Sequence, residues 1–337
     1  MFFDVKGYSH PKKRIIAFLR YYPDENGKRY KNLKRYSKVY SLKARYKYLK
    51  ANFPQYLYRD ETINQVIQAV PINYVKKIYR PHEYLEALQK KGKKNPYEQK
   101  VLEFANYFIE YSKIFMFDIG ISGSPMISLS TFDSDIDMII YGKYNSQKVY
   151  DSLDQLFNNE NIPIERYSEE NLKDLYKFKS KDTNISWENF LKFEKKRKSQ
   201  GKFRSTDFFI RFVRTWDEIE QDDRFKYGKY SYLTIGKATV TAKITSDDDY
   251  LYTPCCYKVD DIEFKDVIIY PELQVKITEE DVKNVKIDQI FSYRGRYTEG
   301  RKNETVHARG NLELVKGEKE QYLRLIIGNE KEDYLYT

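Results

Sequence analysis

Two apolar runs joined by a short polar segment constrain the middle of this chain more than any other feature. Residues 114–121 are predicted to form a buried strand, and residues 135–141 a second strand that ends at Gly142. The intervening residues 122–131 leave room only for a tight connection.

Two carboxylates are predicted on one face of the second strand. Asp135 and Asp137 are two residues apart, and side chains alternate along a strand, so both point the same way. Ile136, Met138 and Ile140 then share the opposite, buried face. Because neighbouring unpaired carboxylates repel each other, this pattern favours a bound cation, and Mg²⁺ prefers carboxylate and phosphate oxygens.

A Gly-Ser pair directly follows the first predicted strand. Gly123 has no Cβ, so a phosphate group can approach the backbone at this position. The main-chain N–H groups of the turn and the hydroxyl of Ser124 are candidate phosphate donors, and a short helix that begins near Pro125 would add favourable partial charge. A phosphate-binding turn beside metal-binding carboxylates is the combination that nucleotidyl transfer requires.

The Gly-Ser and Asp-x-Asp motifs together resemble the signature of the DNA polymerase beta nucleotidyltransferase superfamily. The fuller string, residues 120–142, reads GISGSPMISLSTFDSDIDMIIYG and is similar to that of a group of archaeal nucleotidyltransferases. Three further strings are similar to that group, namely HPKKRIIA at residues 10–17, FIRFV at 209–213 and YRGR at 293–296. The resemblance therefore extends over most of the chain, although the motif itself covers residues 120–142.

This resemblance implies a role for each motif residue. Asp135 and Asp137 would act as catalytic, metal-binding residues that hold Mg²⁺ or Mn²⁺ beside the triphosphate of an NTP. Gly123 and Ser124 would bind the nucleotide. The implied reaction is transfer of a nucleoside monophosphate to a hydroxyl group, with pyrophosphate released.

The same family pattern requires a third acidic residue on a later strand, to complete metal binding and assist the attacking hydroxyl. Asp207, which begins the strand predicted at 207–213, is the best candidate for this catalytic and metal-binding role. Asp133 is a nearby competitor, although its position also suits a turn. Arg211 is a candidate nucleotide-binding residue and Arg214 another phosphate contact, with an ion-paired surface position as the alternative for both.

The net charge favours a polyanionic partner. The chain has 60 Lys and Arg against 50 Asp and Glu, which gives +10, and it has 33 tyrosines that could stack on bases. We therefore expect nucleic acid, RNA such as tRNA above all, as the acceptor. The run Lys195–Lys198 and the pair Arg294 and Arg296 are candidate contacts, with a solvated surface as the alternative. Asp247–Asp249 could bind a cation or form a polar turn.

The expected fold class is α+β in three parts. Residues 1–95 are predicted to form an N-terminal α+β unit, residues 96–228 the nucleotidyltransferase domain, and residues 229–337 a small β-barrel. The barrel is expected because strand patterns follow one another there with no long helical pattern. These patterns lie at 232–244, 249–259, 264–275, 286–297, 304–315 and 321–327.

Several classes of protein are disfavoured. No run of about 18 apolar residues is present, and the N-terminus lacks the apolar core of a signal peptide, so we expect a cytoplasmic protein with no membrane partner. Cys255 and Cys256 are adjacent, which disfavours a disulfide between them, and with three histidines a zinc site is not expected. His10, before Pro11, is interpreted as a turn residue.

Two alternatives to RNA nucleotidyl transfer stay open at this point. The acceptor could be a protein or a small molecule, although the net charge argues against it. The chain could also be a nucleic-acid-binding protein with a degenerate transferase site, since the third carboxylate is not firmly assigned. The sequence indicates neither the base of the NTP, nor template use, nor the oligomeric state.

Overall fold

The chain folds as two compact units. The computed structural model describes residues 1–131, 134–271 and 286–337. The units comprise Met1–Glu165 with Ser199–Gly228, and Arg166–Lys198 with Lys229–Thr337. The first unit contains the predicted N-terminal and central domains except for one helical segment, which belongs to the second unit together with the C-terminal strands. The division into three domains stays a prediction.

The architecture is mixed α+β, as predicted, with three sheets and eight α-helices among the residues described. The strands are β1 (Phe2–Val5), β2 (Arg14–Pro23), β3 (Arg29–Lys31), β4 (Lys34–Lys38), β5 (Leu57–Asp60), β6 (Gln65–Pro71), β7 (Ile119–Ile121), β8 (Ile136–Tyr141), β9 (Ile164–Glu165), β10 (Gln200–Phe203), β11 (Thr206–Val213), β12 (Ser231–Ser246), β13 (Cys255–Ile269), β14 (Ile287–Ser292), β15 (Thr305–Lys316), β16 (Gln321–Ile326) and β17 (Tyr334–Tyr336). The helices are α1 (Leu42–Asn52), α2 (Pro81–Lys90), α3 (Pro96–Ser112), α4 (Gly123–Met126), α5 (Lys143–Asn158), α6 (Glu169–Lys179), α7 (Trp187–Lys196) and α8 (Trp216–Glu220).

The N-terminal sheet has the order β3-β4-β2-β6-β5, and β1 pairs with β2. Alternation along β2 buries Ala17, Leu19 and Tyr21 on one face, with 3% or less of each residue exposed. Helix α1 covers Leu19 with its own buried Leu49. The opposite face of β2 is less buried and carries Ile16, Phe18, Arg20 and Tyr22.

The central sheet belongs to the same unit and has the order β7-β8-β11-β10-β9. Strands β8 and β11 are parallel, and β7 is antiparallel to β8. Ile136, Met138 and Ile140 are fully buried on one face of β8, as the alternation predicts. Phe208 of β11 joins them and lies 4.9 Å, between ring centroids, from Phe104 of α3. This apolar face fixes which side chains of β8 and β11 point the other way.

Helix α3 begins where its sequence predicts. The Asn95 side chain accepts a hydrogen bond from the Glu98 N–H, the Glu98 carboxylate accepts one from the Asn95 N–H, and Pro96 occupies the first turn. Such a capping box stabilises a helix start by about 1 kcal/mol. Its buried stripe includes Phe104 and Phe108 and packs beneath the central sheet.

The C-terminal strands are paired in a cycle. Strand β12 pairs with β13 and with β15, and the remaining pairs are β13 with β14, β14 with β16, and β16 with β15. All of these pairs are antiparallel except β14 with β16. The strand-rich character of this region is confirmed, and the small barrel stays a prediction.

The strand predicted at 114–121 is wrong over its first half. Residues 116–118 form a 3-10 turn, and β7 is limited to Ile119–Ile121. Phe115 and Phe117 are 66% and 73% exposed and stack on each other, with 5.3 Å between ring centroids. Two exposed aromatic rings gave this segment the apolar content of a buried strand.

In place of the two separate strands predicted at 249–259 and 264–275, the described residues contain one long strand that covers part of each. β13 runs without interruption from Cys255 to Ile269, past Asp261, whose φ is 50°. Residues 249–254 are turns instead, with the Tyr252 N–H donating to the carbonyl of Asp249. Residues 272–275 lie outside the described residues. Asp residues in the middle of β13 resemble a turn in sequence but occupy an irregular position in one continuous strand.

The lengths and apolar content of the helices bear on membrane insertion. Within the described ranges, no helix has the length and apolar content needed to cross a bilayer.

Candidate active site

The polar face of the central sheet carries the residues that the sequence singles out. β8 and β11 pair in parallel with Asp137 opposite Phe209 and Ile139 opposite Arg211. Because paired residues of neighbouring strands point to the same face, Asp135, Asp137 and Arg211 share one face of the sheet. The observed strand β8 therefore places the two carboxylates on one face, as the sequence predicts. The pairing with β11 adds Arg211 to the same face.

Gly123 lies directly against one of the carboxylates. Its φ is 75°, and a Cβ added to it would lie 2.5 Å from Oδ2 of Asp137. The Ser122 N–H donates to the main-chain carbonyl of Asp137 at 2.8 Å, which fixes the turn onto β8. A side chain at position 123 would fill the space between the turn and the carboxylate. The glycine therefore permits the close approach of the Asp137 carboxylate to the turn, and it accepts a backbone conformation that other residues resist.

The hydroxyl of Ser124 is held inside the turn. Ser124 is buried, and its Oγ lies 3.2 Å from Oγ of Ser134. Ser134 Oγ also accepts a hydrogen bond from the Thr131 N–H at 2.8 Å. Helix α4 is a single turn that begins at Gly123. Ser124 thus ties the two ends of the loop together, and its predicted phosphate contact stays a prediction.

Asp137 is a half-buried carboxylate without hydrogen-bond donors among the residues that the structure describes. Burial raises the pKa of Asp137, and the charge of Asp135 raises it further, while Arg211, Lys38 and Arg20 act in the opposite direction. A carboxylate that loses water and gains no donor is destabilised unless a cation compensates it. The donor set thus suits a hard divalent cation such as Mg²⁺.

Asp207 lies at the same end of the sheet. The register pairs Phe208 with Ile136, so the preceding residue of β11, Asp207, is next to Asp135. Its carboxylate is exposed and lies 3.4 Å from Nζ of Lys202. Asp207 therefore lies on the strand next to β8, on the face that carries Asp137, and its role as the third carboxylate stays a prediction.

A complete three-ligand metal cluster is not assembled. Over residues 1–131, 134–271 and 286–337, no three His, Cys, Asp or Glu side chains lie close enough together to hold a metal ion. Asp133, the competitor for the third position, lies outside the described residues. A metal at this site would depend first on Asp135 and Asp137.

Helix α3 anchors the start of β8. The Tyr97 hydroxyl donates to the main-chain carbonyl of Asp135 at 2.8 Å. Burial raises the pKa of Tyr97, and Tyr84, Asp135 and Asp137 raise it further, so the phenol keeps its proton. Nearby, Lys100 donates to Thr206 Oγ1 at 2.6 Å, next to Asp207. Helix α3 thereby holds the start of β8 and the start of β11, the two strands that carry the candidate carboxylates.

The N-terminal sheet is tied to the Gly-Ser loop. Lys31 donates to the carbonyl of Ile127 at 2.7 Å, and Arg29 donates to the carbonyl of Leu129. Ile127, Leu129 and Tyr21 form one buried apolar cluster. The segment between the glycine and the aspartates is therefore held by strands that precede it by about a hundred residues.

The N-terminal sheet supplies cations that sequence reasoning missed. The positive charges of Arg20 and Lys38 lower the pKa of Asp137, and that of Arg211 lowers the pKa of Lys6. No local motif marks Lys6, Arg20 or Lys38, because each belongs to an ordinary-looking strand or strand end. Only the position of the two sheets within this unit reveals them.

A comparison with known proteins finds a close archaeal relative. Over 344 aligned residues the chain is 32% identical to the uncharacterized protein MJ1086 of Methanocaldococcus jannaschii, and the match covers 99% of this chain and 94% of that protein. The chain belongs to the family of that archaeal protein. The match extends through both units. No family model matches the chain, and no solved structure matches it.

Several basic candidates have structural roles. Arg294 and Arg296 pair with Asp182 at 2.9 Å and 2.7 Å. Within the basic run 195–198, Arg197 is buried and donates to the carbonyl of Thr298 at 3.0 Å. These pairings favour the structural alternatives for both groups.

Three other sequence candidates are held within the fold. Arg214 is buried, with its guanidinium 5.6 Å from the centroid of the Phe225 ring. Asp247 pairs with Arg301 at 2.8 Å, as expected for a polar turn. His10 accepts a hydrogen bond from the Ile16 N–H at 3.3 Å, which agrees with its interpretation as a turn residue. Cys255 and Cys256 are both free thiols.

Proposed function

We propose that this protein transfers a nucleoside monophosphate from an NTP to a hydroxyl acceptor and releases pyrophosphate. The observation that carries the proposal is the contact between Gly123 and the Asp137 carboxylate, on the face that Asp135 shares. This contact joins a phosphate-accessible turn to a carboxylate pair that lacks other donors. The resemblance of both motifs to the DNA polymerase beta superfamily supports the same reaction.

The chemistry is an in-line substitution at the α-phosphorus. The acceptor oxygen forms a bond to the α-phosphorus, the bond to the β-phosphate bridging oxygen breaks, and the electron pair leaves with pyrophosphate. The hydroxyl proton passes to a nearby carboxylate or to water. Asp135 and Asp137, with Asp207 as the third member, would hold Mg²⁺ or Mn²⁺. When bound, the metal would supply stabilisation of the charge on the transferring group.

The chain's own residues contribute positioning. Gly123 lets the phosphates approach the main chain, and Arg211 places a positive charge beside Asp137. Tyr97 and the Ser122 N–H fix the main chain on either side of the carboxylates. Such fixed groups raise the rate because they need no rearrangement when the reaction occurs.

We propose RNA as the acceptor. The net charge of +10 supports a polyanionic partner. The cyclic pairing of β12–β16 is the connectivity expected of a small five-stranded barrel, and barrels of that size are frequent oligonucleotide-binding modules.

The proposal is tested by incubation of the protein with each α-labelled NTP, Mg²⁺ or Mn²⁺, and separate fractions of total RNA, DNA and protein. We expect label in the RNA fraction, and none with the Asp135→Asn/Asp137→Asn double variant. Label in the protein fraction would contradict an RNA acceptor. Label in no fraction, with nucleic-acid binding intact, would favour a degenerate transferase site.

Asp207 has a separate test. We expect Asp207→Asn to reduce turnover by about 100-fold, as for loss of a metal-binding or general-base carboxylate. Lys202→Met removes only the ion-pair partner of Asp207 and is expected to leave at least half of the activity. Initial rates at saturating NTP measure both. Full activity of Asp207→Asn would show that another group serves as the third carboxylate.

A further inference from the structure

Two cations, Lys6 and Arg20, lie on the less buried face of strands β1 and β2. The register places Asp4 opposite Phe18, and the ladder continues for one residue, since the Lys6 N–H donates to the carbonyl of Ile16 at 3.0 Å. Alternation therefore puts Asp4, Lys6 and Arg20 on one face. The other face is the buried one, so these charges point away from the core of the sheet.

The arrangement of this group is fixed by the fold. Arg20 lies 3.6 Å from Asp4, and its carbonyl accepts a hydrogen bond from the Val39 N–H at 3.0 Å. Arg45 of α1 is buried and donates twice to the carbonyl of Val39, at 3.1 Å and 3.3 Å. A buried guanidinium beside a second one is unfavourable unless a nearby anion compensates both.

The cations outnumber the carboxylates that face them. Asp4 forms an ion pair with Arg20, whereas within the described part of the chain neither Lys6 nor Arg211 has an ion-pair partner within 4 Å. Desolvation lowers the pKa of Lys6, against the influence of Asp4, and Arg211, Arg45 and Arg20 lower it further. Lys6 and Arg211 thus carry positive charges that Asp4, the ion-pair partner of Arg20, does not pair with.

Hydrogen bonds connect the N-terminal sheet to the central sheet and to the loop that precedes β8. The Arg214 N–H at the end of β11 donates to the Tyr8 hydroxyl at 3.3 Å, two residues after Lys6. At the loop that follows Gly123, Lys31 of β3 donates to the carbonyl of Ile127 at 2.7 Å. The N-terminal sheet is therefore tied to the central sheet at the end of β11 and at the loop that precedes β8. The effects of Arg20 on the pKa of Asp137 and of Arg211 on that of Lys6 agree with this proximity.

We propose that Lys6, Arg20 and Arg211 bind the β- and γ-phosphates of the NTP, so that the N-terminal sheet forms the wall of the site that holds the leaving pyrophosphate. This assignment rests on the proposed nucleotidyl transfer. Guanidinium and ammonium groups bind phosphate oxygens through strong charge-assisted hydrogen bonds. Arg45 acts through Val39 and Arg20 as a positioning residue.

The test measures binding of inorganic triphosphate by calorimetry, in buffer with EDTA, so that neither a metal nor a base contributes. We expect Arg20→Gln and Lys6→Gln each to weaken binding by about tenfold, the effect of one lost charge-assisted contact. Lys47→Gln, an exposed position on α1, makes the same charge change and is expected to bind as the parent protein does. Equal binding by Lys6→Gln and the parent would overturn the proposal. Lys6→Gln breaks no ion pair, and a thermal unfolding curve for each variant checks the fold.

The two proposals fail separately. If the protein transfers label from NTPs, and Arg20→Gln and Lys6→Gln bind triphosphate like the parent, the phosphate assignment is wrong and nucleotidyl transfer stands. If triphosphate binding depends on Lys6 and Arg20 but no label is transferred to any fraction, the transfer proposal is wrong and the polyphosphate site stands.

Discussion

Asp137→Asn is expected to abolish nucleotidyl transfer while the protein unfolds at the same or a higher temperature. The substitution keeps the shape of the side chain and removes its charge. We expect a loss of at least about 1,000-fold in kcat/KM, equivalent to about 4 kcal/mol of transition-state stabilisation. Stability should not fall, because the carboxylate is half-buried, accepts no hydrogen bond from the residues described, and has a raised pKa.

The specific expectation for Asp137→Asn is that activity falls while the unfolding temperature stays the same or rises. Asp151→Asn is a matched control, since Asp151 is an exposed aspartate that accepts a hydrogen bond from Gln147 at 2.8 Å on helix α5. It should retain activity within about twofold, as is usual for an exposed surface position. If Asp137→Asn lost activity only in proportion to a lower unfolding temperature, Asp137 would be a structural residue and the proposed site would be wrong.

Gly123→Ala is expected to have the second largest effect. The φ of 75° makes any Cβ unfavourable there, by about 1–2 kcal/mol. In addition, this Cβ would lie 2.5 Å from Oδ2 of Asp137, so either the turn or the carboxylate must move. Because displacement of a catalytic group by about 1 Å can reduce a rate by about 100-fold, we expect a loss of that order in kcat.

Gly228→Ala separates the two causes. Gly228 has a φ of 80°, and nothing lies within 4 Å of the Cβ that alanine would add. It should therefore reproduce the loss of stability, measured by urea unfolding, without the loss of activity. If Gly123→Ala were fully active, the close approach of the turn to Asp137 would have no part in catalysis.

Local sequence patterns were sufficient to predict the elements that carry the carboxylates. Alternation in β8 separates Asp135 and Asp137 from three buried apolar side chains, and the structure has the same division. Helices α1 and α3 begin directly after Ser41 and Asn95, whose side chains cap them, and such caps are a local sequence signal. Such features depend on neighbours along the chain.

Features that depend on distant residues were not predictable in the same way. Lys6 and Arg20 are more than a hundred residues from Asp137, and nothing in a strand pattern states which sheet will face it. Likewise, no periodicity indicates that α6 and α7 group with the C-terminal strands. Phe115 and Phe117 were misread for a related reason, since apolar character does not by itself determine burial.

For Asp207, the candidate third carboxylate, the sequence could predict the strand but not the contacts of the side chain. Sequence order identified the strand of Asp207, and the register with β8 brings it to the end of the sheet where Asp135 lies. Its ion pair with Lys202 could not be predicted from the sequence, because it depends on the antiparallel pairing of β10 and β11. The spacing of acidic residues along the sequence therefore does not show which of their side chains lie close together in the folded chain.

The central claim is that the Asp135 and Asp137 site transfers a nucleoside monophosphate. The most direct measurement compares transfer from α-labelled and γ-labelled NTP to RNA, in the presence of Mg²⁺, by the parent protein and by Asp135→Asn/Asp137→Asn. The account predicts that the α label enters RNA, the γ label is released as pyrophosphate, and both events are lost in the double variant. Incorporation of the γ label, or α-label transfer that survives in the double variant, would contradict it.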